Sequence, residues 1–124
     1  MGNREDSIVL RNAFDFAIKV VDVNRTLNKR NEFVLSNQLL RSGTSVGANI
    51  NEALSGVSKR DFQHKMGIAY KEANETEYWL KLLKHSNTLE TDLLIDDIAE
   101  IRRILSAIIV TTKTNLKQAQ SLKN

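Results

Sequence analysis

Two histidines, fifteen carboxylates and no cysteine are the side chains with which this 124-residue chain could do chemistry. His64 and His85 stand on opposite halves of one helical segment. At 1.5 Å of rise per residue they lie about 30 Å apart, too far to share a metal within one chain. Neither has a second ligand at a zinc-site spacing. Glu72 and Glu75 share a helix face, but a bundle di-iron site needs Glu-x-x-His, and that spacing occurs nowhere. Gly43-x-x-x-Gly47 is followed by alanine rather than lysine and sits inside a helix, so it is no phosphate loop. No nucleophile elbow or lysine-activated serine is present. The sequence therefore predicts no catalytic residue, no cofactor and no metal.

A polar set remains to be explained. Arg41, Asn49 and Glu52 flank an apolar stripe between Gln38 and Ala53, and antiparallel packing would set them near Glu72 and Glu75. These five residues are expected to form a polar clamp that fixes helix register, because paired polar groups near a core most credibly set register. An anion or nucleotide site at Arg41 is the alternative. Gly43 and Gly47 each cost a helix about 1 kcal/mol relative to alanine. Two of them four residues apart predict a close-packed helix face.

The elements that must hold these residues are helical. Helices are expected over about 7–26, 33–55, 58–85 and 92–119, with Asp6 or Ser7 capping the first and Ser58 starting the third. Ile8, Phe16, Val20, Val23 and Leu27 mark the inner stripe of the first, with Ala13, Ala17 and Val21 beside it. Leu35, Leu39, Val46, Ile50 and Ala53 mark the second, with Ser42 and Gly43 between. The third gives the cleanest heptad seam, Phe62, Met66, Ala69, Ala73, Thr76, Leu80 and Leu83. Leu94, Ile98, Ile101, Leu105, Ile108, Thr112 and Ala119 follow the same steps in the fourth. Its acids come first and its bases last, as the helix dipole favours. No proline interrupts any of them. Short breaks at 28–31, near Gly56 and at 86–88 make neighbours antiparallel. The fold class is all-α, an up-down-up-down antiparallel four-helix bundle in a single domain spanning 1–124.

The net charge of +3 and a pI near 9.3 permit an anionic partner without requiring one. No apolar run reaches the roughly 20 residues of a membrane span, and no signal-peptide hydrophobic region opens the chain. A cytoplasmic location with no membrane contact is expected.

Residues 38–53 carry a resemblance. Gln38, Leu39, Arg41, Ser45, Val46, Ala48, Asn49, Ile50, Glu52 and Ala53 resemble the signature of the four-helix bundle proteins associated with the 23S rRNA intervening sequence. Ser58, Lys59, Asp61, Phe62, Ile68, Ala69, Glu72, Glu75 and Glu77 continue it. The family often has proline in place of Gly47 and glycine in place of Ala53. Histidine phosphotransfer domains are similar in plan, but their His-x-x-Lys-Gly run is displaced here, with lysine directly after His64 and glycine at Gly67. The first resemblance implies a small, non-enzymatic bacterial protein. Related bundles form homopentamers, and a distant relative, the accessory protein of diversity-generating retroelements, binds nucleic acid and a reverse transcriptase. It thus implies a homo-oligomer, a pentamer, with RNA or DNA as partner.

Two functions follow as expectations. One is a nucleic-acid-binding homo-oligomer whose phosphate contacts come from Arg25, Lys29, Arg30, Lys59, Arg60, Lys65, Arg102, Arg103, Lys113 and Lys117. The other is a protein-interaction scaffold or accessory subunit without nucleic-acid binding, using Phe33, Tyr70, Tyr78 and Trp79 as contacts.

Overall fold

Helix α1 (Arg4–Lys29) starts three residues before the expected position, because Asn3 caps it. The Asp6 N–H donates to Asn3 Oδ1 at 2.9 Å and the Asn3 N–H donates to Asp6 Oδ2 at 3.1 Å, a reciprocal box. Helices α2 (Phe33–Leu54), α3 (Lys59–His85) and α4 (Asp92–Lys123) follow, and no strand occurs among the described residues. The computed structural model describes residues 3–123.

Asparagine closes α1 and α3 in the same way. Among the described residues, Asn31 and Asn87 are the two non-glycine residues with positive φ, 62° and 58°. At the first, the Glu32 N–H donates to Leu27 O and the Asn31 N–H to Asn28 O; at the second, the Thr88 N–H donates to Leu83 O and the Asn87 N–H to Lys84 O. Both are Schellman closures, with asparagine occupying the left-handed position that glycine more often takes. Ser58 caps α3, its hydroxyl accepting from the Asp61 N–H at 3.0 Å. Each helix packs on its chain neighbours, and α1 meets α4 to close the bundle.

All seven seam residues of α3 are buried, as expected. In α1 the buried line is Val9, Ala13, Phe16, Val20 and Leu27, whereas Ile8 is 42% exposed. One residue along a helix is a rotation of about 100°, so Val9 rather than Ile8 faces inward. In α4 Leu94, Ile98, Ile101, Leu105 and Ile108 are buried with Ile104 added, while Thr112 and Ala119 are only half-covered.

A close approach lies between α1 and α2. A Cβ built on Gly43 would stand 2.9 and 3.0 Å from the two γ-carbons of Val20. Val20 is fully buried and β-branched, so it cannot turn away. One turn on, a Cβ on Gly47 would meet Ala13 at 3.5 Å, ordinary contact. The two glycines therefore differ. Gly43→Ala should lower stability by about 1–2 kcal/mol, since overpacking costs up to ~3 kcal/mol and the gain in helix propensity returns ~1 kcal/mol. Gly47→Ala should raise it by up to about 1 kcal/mol. Urea unfolding of both variants tests this; equal shifts would refute the distinction.

Candidate functional site

The five-residue polar set divides into three. Arg41, on α2, reaches α3: its Nη1 donates to Glu72 Oε2 at 3.4 Å and its Nη2 to both Glu75 Oε2 and Gln38 Oε1. Glu75 Oε2 also accepts from the indole N–H of Trp79 at 3.0 Å. Asn49 turns back on its own helix, donating to Ser45 O at 2.8 Å. Glu52 pairs with Lys65 at 2.8 Å, thirteen residues further along. The first contact and the last both tie α2 to α3, but they are separate pairs. Arg41 remains 49% exposed, so its pairs carry surface energies of about 1 kcal/mol or less rather than those of a buried clamp.

A further cross-helix pair has no signature in the sequence. Arg102 of α4 meets Glu77 of α3 at 2.7 Å, and its guanidinium also reaches Asn74 Oδ1. The Glu77 side chain is mostly covered, and the hydrogen bond from Arg102 holds its carboxyl below the usual glutamate range, against the opposing effect of burial. Lys84–Asp92 ties α3 to α4 nearer the chain break, and Lys19–Asp97 ties α1 to α4.

The ten candidate phosphate contacts sort by their partners. Arg25, Lys65, Arg102 and Arg103 are paired with Asp22, Glu52, Glu77 and Glu100. Arg30 donates to Thr88 O at 2.9 Å across the two Schellman loops. Lys29, Lys59, Arg60, Lys113 and Lys117 are exposed and form no ion pair among the described residues. Lys59 lines a cleft with Asn3, Glu5, Asp6, Phe62, Ile108 and Asn115, where α1, α3 and α4 meet.

An apolar groove runs between α1 and α2. Leu10, Phe14, Ala17, Thr44, Gly47 and Ala48 line it, with a volume of about 690 Å³. Phe14 is 65% exposed, and Ile18 next to it on α1 is 51% exposed. Trp79 and Tyr70 are half-buried against the core, whereas Phe33 and Tyr78 stand out from the surface. Both histidines are exposed. Among the described residues no group of three or more His, Cys, Asp or Glu could hold a metal, and no helix is long and apolar enough to cross a membrane.

Residues 5–107 match the family model of the 23S rRNA-intervening sequence protein. The chain belongs to that family. A protein of unknown function from the S23 ribosomal protein family of Bacteroides thetaiotaomicron, known from a crystal structure, is 44% identical. It aligns over 85% of this chain and 97% of its own, with a TM-score of 0.82. No curated protein matches the chain. The 23S rRNA-intervening sequence match ends at residue 107, one position before Ile108, the last buried residue of α4. The remaining turns of α4 continue beyond it.

Glu77 gives a pH test. Its folded pKa is lowered, so the pair's contribution is complete above the ordinary glutamate value and fades as pH falls through the lower folded value. Glu77→Gln should therefore be less stable than wild type near neutrality, and the difference should shrink as pH drops below about 4. A difference that stays constant down to the acid transition would rule out the assignment.

Proposed function

We propose that this family member is a non-enzymatic, cytoplasmic homo-oligomer, assembled as a pentamer, that binds RNA or DNA through cations its ion pairs leave free. The observation that carries it is the groove between α1 and α2. Phe14 and Ile18 form a contiguous exposed apolar strip beside it, the kind of surface that marks an association site. A second copy of the chain is the occupant that every solution of the protein supplies. Closing a ring multiplies each subunit's free cations, so weak phosphate contacts add as avidity.

The charge pattern supports binding to an anion through exposed lysines and arginines rather than through a pocket. Five of the ten candidates are occupied internally, and the other five stand in solvent at helix ends and along α4. Contacts of this kind read backbone phosphate and tolerate sequence. A scaffold role without nucleic acid draws on exposed Tyr78 and Phe33 instead.

Light scattering at micromolar concentration should return a mass five times that of the 14.0 kDa chain. Phe14→Asp places a charge on the strip and should yield smaller species with unchanged helicity by circular dichroism. A monomeric wild type contradicts the assembly. Anisotropy with mixed-sequence RNA and DNA at low salt separates the two functions, since a scaffold leaves both free.

A further inference from the structure

The net charge of this protein sits on one segment. Residues 1–103 hold fifteen basic and fifteen acidic side chains; residues 104–124 hold three lysines and no carboxylate. The bundle is therefore neutral, and the whole formal surplus of +3 belongs to the last turns of α4. Those turns also leave the core. Beyond Thr112 only Leu116 and Ala119 are half-covered, and Lys113, Thr114, Asn115, Lys117, Gln118 and Gln120 are all exposed. Continuous helix persists to Lys123 all the same.

The other three free candidates sit among acids. Lys59 shares its cleft with Glu5 and Asp6, and Arg60 precedes Asp61 in sequence. Lys29 is the last residue of α1, three positions before Glu32. A phosphate at either place meets carboxylates as well as ammonium groups, which weakens attraction. Residues 104–124 hold no carboxylate of their own; Glu5 and Asp6 line the cleft with Thr111, Thr112 and Asn115, but Lys113 and Lys117 do not line it.

We infer that the exposed turns of α4 after Thr112 are a basic arm that docks on double-stranded DNA, its lysines on phosphates and its amide side chains toward base edges. This rests on the nucleic-acid reading above and specifies the element and the ligand. Three observations select the ligand. The arm carries no aromatic residue, so it has no platform for stacking single-stranded bases. It is a helix exposed on most of its circumference, the shape that the B-form major groove admits. The deep, narrow major groove of A-form RNA does not admit side chains in this way. Lys113 and Lys117 stand one turn apart on the arm's outer side, about 6 Å along the axis.

The test is fluorescence anisotropy of the full chain with a labelled mixed-sequence DNA duplex, the matching RNA duplex and each single strand, over a salt series. The variant Lys113→Gln/Lys117→Gln is compared with Lys71→Gln/Lys81→Gln, which removes the same charge from α3. Circular dichroism and light scattering check that fold and assembly persist. The expected result is that wild type prefers duplex DNA, and that the arm variant loses about tenfold or more in affinity. Its log–log salt slope should also fall by about 1.8 per chain engaged, while the α3 variant changes far less. Binding that the arm variant retains in full, or a preference for the RNA duplex, overturns the arm and leaves the nucleic-acid reading standing. No association with any nucleic acid at low salt overturns both.

Discussion

The contact on which the rest of this bundle depends is Val20 of α1 against Gly43 of α2. No side chain larger than hydrogen fits at position 43 without displacing a fully buried, rotationally stiff valine. The neighbouring inward positions of α2 are also small: Ser36 and Ser42 are buried, and Gly47 faces Ala13. Small residues bring the two helices together along a full face. Their serine hydroxyls stay satisfied locally, Ser42 donating to Gln38 O and Ser36 to Asn24 O. Helix α2 packs in turn on α3, and α3 on α4, with Leu39, Val46 and Ile50 fully buried in the shared core.

This ordering explains the polar surface. Arg41–Glu72–Glu75 and Glu52–Lys65 lie along the α2–α3 seam, and Arg102–Glu77 along the α3–α4 seam. Such pairs add little net stability where exposed, but they disfavour a slipped register, because a one-turn shift separates every pair at once. Residues 38–53 thus contain the packing surface and one end of its register contacts.

Much of this was legible in the sequence, and the gaps have physical causes. The α3 seam could be read whole because its apolar residues keep strict three- and four-residue steps. The start of α1 could not, because Asn3 and Asp6 form a box with no hydrophobic marker; Val9 rather than Ile8 keeps the phase of Phe16, seven residues and about 20° away. The pairing of Arg41 with Glu72 and Glu75 was accessible from antiparallel neighbours. Arg102–Glu77 was not, since Arg102 is one of several basic residues of α4 and no spacing singles it out. Asn49 and Glu52 lie close to Arg41 in sequence, yet Glu52 stands about three turns along the same face and Asn49 about 80° round the helix, so the three do not meet. Charge segregation was present in the composition, but its meaning required knowing where α4 leaves the core.

A double-mutant cycle on Val20 and Gly43 tests this construction most directly. Val20→Ala alone should destabilise by about 1–3 kcal/mol through lost packing, and Gly43→Ala alone through overpacking. If the two residues are in the contact described, the double variant should be more stable than the sum of the single effects by about 1 kcal/mol or more, since the alanine methyl fills the space the valine vacates. Effects that add within about 0.5 kcal/mol would mean that the approach of α1 to α2 is not what position 43 controls.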